Sequence, residues 1–541
     1  MNRAGVLAWA LCALSALLLS MPWLVPHAGA LVLVAFVPLL CAEAVAEQCR
    51  LRASWVYPAA VFTGWNAATT FWVCNATVGG GIFAILANAA QMLLVWLLFR
   101  LAKKKLGGIL PYIFLAAMWI AWERRYFSAD MSWPWLTLGG AFARSTRTVQ
   151  WYEYTGTLGG SLWAWTANLG IFGLLVAVAD GHWRRWRGPV RACAMLGITV
   201  AVAGPVLASK AIWSARQEHY SGQTVDVVIG QPNFDPYQKF GAMSQEQQTA
   251  VLLEEFGRAL EGRPAGRPVL LLAPETFTGD IFLDHPENSP TVRAVRGFLA
   301  AHPGAEMLFG ASTYEPFPTR RAPSVLARPY GDGWILSHNS AVMAPASGPL
   351  EFYHKSKLVP GVELTPWPRI LVPLDNWLSG KLGVSGLMGR CAGQDGVSLL
   401  HFGPQRVPLG CAVCYESIYG EYCTEYVRAG AQALTIITND AWWGDTPGYR
   451  QHLGYARLRA IELRRDIARC GNTGISCFID RRGEVLERTE WWTRGTLSGE
   501  ILLNEEQTAF VRHGDIVGRV CTLVFLLLAA MLLVRLLLPR T

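Results

Sequence analysis

Charge is scarce in this chain. Asp, Glu, Lys and Arg make up only 16% of its 541 residues, against 52% hydrophobic. A soluble protein carries more charge than this, and the length exceeds one ordinary domain. The shortage is uneven. Long uncharged runs fill roughly the first 210 residues and the C-terminal end, while the middle reads as ordinary globular sequence. The twelve cysteines lack small-domain disulfide spacing and any paired C-x-x-C zinc pattern. One C-x-x-C does occur, Cys411 to Cys414, with a redox or metal role as its alternative reading. Lys and Arg are missing from 25–28 and 75–81. They cluster instead in a few short loops, so the net charge of +8 follows the positive-inside rule rather than a nucleic-acid surface.

An apolar run of about 20 residues spans a bilayer as a helix. Seven are expected before the middle region, near 5–24, 29–48, 54–74, 82–102, 108–123, 159–179 and 190–209, and an eighth near 516–538. Arg3 and Ala28-Gly29-Ala30 would suit a signal peptide, but the uncharged stretch Ala4–Val25 is too long for one, and a retained helix is expected. Inside loops then carry Arg50 and Arg52, Arg100 with Lys103–Lys105, Arg184–Arg191, and the tail with Arg535 and Arg540. Arg124, Arg125, Arg144 and Arg147 break the rule in the longer loop 124–158. The expected division is 1–214 as a seven-helix transmembrane domain, 215–510 as an extracytoplasmic domain, and 511–541 as a last helix with a short cytoplasmic tail. Twenty-three tryptophans, many flanking apolar runs, suit membrane–water interfaces. The sequon Asn75-Ala76-Thr77 is read as a chance match.

The middle region alternates β-branched or aliphatic runs with helical patterns. Val225–Ile229, Val269–Leu272, Glu306–Phe309, Val407–Ala412 and Leu434–Thr438 read as strands; Ser244–Leu260, Pro290–Ala301 and Gln451–Ala468 read as helices. This predicts an α/β domain with a buried sheet. Glu275, Cys414 and the pair Asn439-Asp440 each stand just after an apolar strand, where ligand sites of open α/β sheets gather.

Three segments carry the chemistry: Leu-Ala-Pro-Glu275-Thr-Phe, Tyr-His-Lys355-Ser-Lys-Leu-Val-Pro, and Gly-Cys-Ala-Val-Cys414-Tyr-Glu-Ser. Glu, Lys and Cys in this order resemble the nitrilase, or carbon–nitrogen hydrolase, superfamily, whose catalytic domain is an α-β-β-α sandwich. The resemblance implies Cys414 as nucleophile, Glu275 as general base, and Lys355 as the oxyanion stabiliser, assisted by the Tyr415 N–H. The Lys355 charge is also expected to lower the Cys414 pKa. Cys411 lies three residues early and is taken as core; Lys357 sits wrongly relative to Leu358-Val359-Pro360.

Further motifs narrow the likeness. Asn439-Asp440-Ala-Trp442-Trp443-Gly-Asp445, the helix Gln451-His452…Ala456-Arg-Leu-Arg-Ala-Ile-Glu462, and Trp133-Pro-Trp-Leu136 with Gly139 are similar to segments of the apolipoprotein N-acyltransferases. That likeness implies ping-pong transfer of an sn-1 acyl chain from a phospholipid to the α-amine of a diacylated apolipoprotein, in the bacterial inner membrane with the catalytic domain periplasmic. It implies no cofactor and no metal, and a monomer is expected. Glu363, Tyr415 and Glu416 are carried over as supporting residues, the two glutamates either positioning and tuning the site or forming loop salt bridges. Trp442 and Trp443, with Phe277, Phe352 and Trp367, are expected in an acyl groove or lid, or as core and interface aromatics. Leu358-Val-Pro-Gly361-Val362-Glu363 departs from the usual L-V-P-F-G-E and puts lid behaviour and substrate fit in doubt. Two rival functions are a membrane-anchored amidase with water as acceptor and an inactive binding module on a transporter-like core. The complete triad opposes the second, as does the scarcity of charge within the helices.

Overall fold

The computed structural model describes residues 3–216, 222–236, 243–264, 266–382 and 388–538. Arg540 lies outside them. Among the described residues, six helices are long and apolar enough to cross a membrane: Arg3–Leu24, Ala28–Gln48, Val78–Lys105, Thr157–Ala179, Gly188–Ala215 and Ile516–Leu537. Val56–Thr70 and Leu110–Tyr126 stand where two other spans were expected, but at 15 and 17 residues they reach at most the short end of a bilayer crossing. Outward faces are apolar, with Leu17, Phe83, Leu94 and Leu526 all more than half exposed or nearly so.

The second expected span is not one regular helix. A 3₁₀ segment Ala28–Leu33 gives way to an α-helix Val37–Gln48. The break leaves backbone groups unpaired at membrane depth, and Asn168 satisfies them. Its Oδ1 accepts from the Phe36 and Val37 amides at 2.7 and 3.1 Å, and its Nδ2 donates to Val32 O at 2.8 Å. Two ion pairs form among these helices: Glu43 meets Arg100 at 2.7 Å, and Glu47 meets Lys103.

Among the described residues fourteen strands follow: β1 (Thr224–Gln231), β2 (Val269–Leu272), β3 (Thr278–Phe282), β4 (Ala305–Phe317), β5 (Arg328–Tyr330), β6 (Gly333–Ala344), β7 (Glu351–His354), β8 (Leu400–Phe402), β9 (Val407–Val413), β10 (Ala433–Thr438), β11 (Ile467–Gly471), β12 (Cys477–Ile479), β13 (Val485–Arg488) and β14 (Gly495–Leu502). They form two sheets. One runs β14-β1-β2-β4-β6-β5, with β3 on β4 and β7 on β6; the other runs β13-β12-β11-β10-β9-β8. β1-β2-β4 and β9-β10-β11 are parallel, and both sets are buried nearly throughout, as parallel strands require. Period-2 alternation splits the first sheet between two cores. Val227, Ile229, Leu270, Leu272 and Leu308 pack with Cys411, Val413, Ile436 and Ile467 of the second sheet. Val228, Leu271, Met307 and Phe309 pack with Leu252, Phe256, Val292 and Val295 of helices Gln245–Leu260 and Pro290–Ala301.

The expected helix Gln451–Ala468 is displaced. It spans Pro447–Leu463, and Ile467-Ala468 belong to β11. Arg464 ends it at φ 50°, and its buried guanidinium bonds Glu153 Oε2 at 2.6 Å, Gln150 Oε1 at 2.8 Å and Gln150 O at 2.9 Å. A charge that cannot be buried unpaired finds its partners on the membrane side, which fixes the two parts together. Gly139 makes a close contact within the membrane part. A Cβ there would stand 1.8 Å from Thr157 O, so only glycine lets this loop lie on the start of Thr157–Ala179.

Candidate active site

Three strand ends deliver the site. Lys355 directly follows β7, Cys414 directly follows β9, and Glu275 follows β2 by a short turn. Gly310 of β4 lies under that turn: a Cβ on it would come 2.5 Å from Glu275 Cα. Asn439 directly follows β10, and its N–H donates to Glu275 Oε2 at 3.1 Å.

Lys355 is 1% exposed and its ammonium lies between two carboxyl groups, 3.0 Å from Glu275 Oε1 and 3.0 Å from Glu363. Asn339 of β6 completes the cluster, donating to Glu275 Oε1 at 2.8 Å and Glu363 Oε1 at 2.6 Å. Burial works against the ammonium, but Glu275, Glu363 and Cys414 overcome it and hold the amine well above its usual range. A permanent cation beside the thiol is what an oxyanion needs. Glu363 is thus a direct partner of Lys355, and Oε2 also accepts the Val359 N–H at 2.8 Å, which pins the departing loop 358–363.

Lys355 pulls the Cys414 pKa down as expected, but it is not the dominant influence. Burial and then Glu275 push the Cys414 thiol well above its usual range, and Lys355 only partly offsets them. The side chain therefore rests as a thiol, and a nucleophilic role for it would require its proton to move to a base. Cys414 also occupies a left-handed conformation, φ 52°, rare for a non-glycine residue. Its carbonyl is held by Ser417 Oγ, which donates at 2.8 Å, and lies 3.1 Å from His452 Nε2. Cys411 is fully buried inside β9 with its thiol pushed up to about 12 by burial, and Lys357 points at the rings of Tyr419 and Tyr422. Neither rival reaches the cluster.

Among the described residues Glu416 has no salt-bridge partner. It is completely buried and accepts from Val413 N at 2.8 Å, Ser356 N at 2.8 Å, Lys357 N at 3.1 Å and Tyr353 OH at 2.6 Å. One carboxyl thereby ties the strand end before Cys414 to the turn after Lys355. Tyr415 points the other way: its OH donates to Ser132 O at 2.8 Å and its ring stacks on Trp133. Trp443 is anchored rather than loose, with Trp72, Trp135 and His452 rings at 4.6, 5.8 and 5.5 Å. Its carbonyl accepts from Asn75 at 2.8 Å, which gives the sequon asparagine a structural use. Trp442 is half-buried beside it. Phe277 is core and Phe352 packs against that core, while Trp367 is exposed.

Two residues escaped the sequence reading. Asn339 is a polar residue in mid-strand, a weak signal on its own. His452 was visible only as part of a motif. Its Nδ1 meets Asp440 Oδ1 at 2.9 Å, and Asp440 Oδ2 accepts from Arg469 at 2.5 Å. Burial opposes ionisation of Asp440, but His452 and Arg469 prevail and hold its pKa at about 2. Donor atoms of Cys414, Asp440 and His452 lie within 4.8 Å of one another. A metal ion there would meet the Arg469 guanidinium, so the set suits a hydrogen-bond network better than a cation. Replacing His452 by Ala should lower kcat about 10- to 100-fold with little change in KM, because the Cys414 carbonyl loses its support. His452→Gln, which keeps a donor, should recover part of the loss; steady-state kinetics check this.

The carbon-nitrogen hydrolase family matches residues 319–509, and the apolipoprotein N-acyltransferase N-terminal domain family matches residues 15–170. Over 506 residues the chain is 30% identical to the apolipoprotein N-acyltransferase of Chlorobaculum tepidum, covering 92% of this chain and 91% of that one. The Geobacter metallireducens apolipoprotein N-acyltransferase is 26% identical, covering 94% and 92%. Among solved structures, a nitrilase-superfamily protein of Saccharomyces cerevisiae covers 54% of this chain and 95% of its own, with a TM-score of 0.37 and 14% identity. The length and level of the match to whole relatives, over a membrane part and an α/β part alike, show that the chain belongs to the apolipoprotein N-acyltransferase family of acyltransferases.

Proposed function

We propose that this chain transfers the sn-1 acyl chain of a phospholipid to the free α-amine of an N-terminal diacylglyceryl-cysteine on an apolipoprotein, through a thioester on Cys414. The observation that carries the reading is the buried Lys355 held between Glu275 and Glu363. Sulfur attacks the ester carbonyl as Glu275 takes its proton. The Lys355 ammonium and the Tyr415 N–H stabilise the oxyanion. The C–O bond breaks, Glu275 returns the proton to the leaving alkoxide, and a lysophospholipid departs. The acceptor amine then attacks the thioester, Glu275 removes its proton, and Cys414 leaves as the thiol.

Glu275 is the only member free to act as base, since Lys355 stays charged. Trp367, Ile370, Leu374 and Trp377, all more than half exposed on or just before helix Pro368–Leu382, offer lipid an apolar approach close in sequence to Glu363. In this reading the α/β part faces the periplasm, the apolar helices lie in the bacterial inner membrane, and the protein acts as a monomer.

The test is acyl transfer from a defined phospholipid to a synthetic diacylated lipopeptide. Cys414→Ala should lower it by about 10⁴-fold or more. Release of free fatty acid at the same rate with and without the lipopeptide would instead make the protein a hydrolase.

A further inference from the structure

The turn that carries Cys414 is held from outside itself. Cys414–Ile418 form a 3₁₀ segment, and a residue at φ 52° keeps that conformation only where its surroundings impose it. Helix Pro447–Leu463 imposes it at two points seven residues apart, which fall on one face. His452 Nε2 lies 3.0 Å from the Ser417 hydroxyl and 3.1 Å from the Cys414 carbonyl. Two turns further on, Arg459 Nη1 donates to Ile418 O at 2.8 Å and to Ser417 O at 3.3 Å. The chain leaves this turn pressed against the same arginine: a Cβ on Gly420 would stand 3.2 Å from Arg459 Nη2 and 2.8 Å from Glu462 Oε2.

Arg459 is itself fixed by the membrane part. Its Nη2 lies 2.8 Å from Oε2 of Glu462, one turn later on the helix, and donates to Thr157 Oγ1 at 3.0 Å. The Thr157 hydroxyl in turn donates to Glu462 Oε1 at 2.5 Å. Both charged side chains are buried. Thr157 is the first residue of the apolar helix Thr157–Ala179, some 300 residues earlier in the chain. A buried ion pair adds little net stability over apolar side chains of the same size. What it supplies here is placement, because the planar guanidinium meets two carbonyls, a carboxylate and a hydroxyl at fixed angles.

We propose that Arg459 is a positioning residue for acyl transfer, and that Thr157 is the point at which the membrane part sets the geometry of the Cys414 turn. Neither acts on substrate directly. Arg459 works through the Ser417 and Ile418 carbonyls, and Thr157 works through Arg459 and Glu462. The apolar helices then shape the site as well as anchor it. The inference rests on Cys414 being the nucleophile.

The experiment uses the full-length protein, a defined phospholipid and a diacylated lipopeptide. Thr157→Val keeps the size and branching of the side chain and removes its hydroxyl. It should lower kcat about tenfold with KM within about twofold of wild type and an unchanged thermal midpoint, and Thr157→Ser should recover most of the loss. Arg459→Lys keeps the charge without the fork and should lower kcat about 100-fold. Adding Thr157→Val to Arg459→Lys should cost almost nothing more, because the two act as one unit. In single turnovers, acylation of Cys414 and its discharge to the lipopeptide should slow by the same factor, since both pass through a tetrahedral centre on the same sulfur. If Arg459→Lys does not fold, the two Thr157 variants decide alone. A wild-type kcat in Thr157→Val, a loss that serine does not recover, losses that multiply in the double variant, or slowing of one half-reaction only would overturn the proposal while Cys414→Ala stays inactive. Transfer by Cys414→Ala would remove the nucleophile assignment, and this proposal with it.

Discussion

Lys355→Met should abolish acyl transfer and also destabilise the α/β part. The chemical loss is that of an oxyanion donor, about 10²- to 10³-fold in kcat. The structural loss has a different origin. Without the ammonium, Glu275 and Glu363 would share the Asn339 amide in a largely buried site. Removing one partner from a buried charge cluster costs about 3–5 kcal/mol, because the others stay buried and uncompensated. The two effects separate in a second variant. Lys355→Met with Glu363→Gln should regain much of the stability, read as the thermal unfolding midpoint in detergent, and none of the activity. Substantial transfer by Lys355→Met would remove Lys355 from the chemistry; an unchanged midpoint would mean that Glu275 and Glu363 need no cation between them.

Glu416→Ala should be the most disruptive change at a residue assigned no part in bond making. Its carboxyl is the shared acceptor for three backbone amides and the Tyr353 hydroxyl. Each buried donor left unmade costs about 1–3 kcal/mol, so the sum should reach about 4 kcal/mol or more. Activity should fall with it, since the same bonds set the Lys355 turn against the Cys414 turn. Burial raises the Glu416 pKa, with those hydrogen bonds opposing. Glu416→Gln keeps one acceptor oxygen but turns an N–H₂ toward amide donors, and should fall between Ala and wild type in both thermal midpoint and kcat. A Glu416→Ala protein of normal stability and activity would show that the two turns hold their positions unaided.

The strands, and the strand-end positions of Glu275 and Cys414, were legible because both signals are local. Four or more apolar residues ending in a lone Glu or Cys read as a buried strand delivering a functional group. Roles that depend on distant partners were not legible. The sequence leaves Glu416 open between positioning or tuning the site and a loop salt bridge, because its acceptor role depends on amides 59 and 60 residues earlier in the chain. Asn168 mends a break some 130 residues away, so the second span read as one continuous helix. Helical periodicity ran past Leu463 because nothing local shows that Arg464 would be buried against Glu153. Lys355 does lower the thiol pKa as its charge suggested. Only the structure shows that burial and Glu275 outweigh it.

Cys414 as the carrier of an acyl thioester is tested most directly by the intact mass of the purified protein after incubation with one defined phospholipid. Wild type should gain one acyl mass, Cys414→Ala none, and the gain should vanish when a diacylated lipopeptide is added and reappear on that peptide. No adduct on the wild type, or one lost equally fast to water without the peptide, would contradict transfer through Cys414.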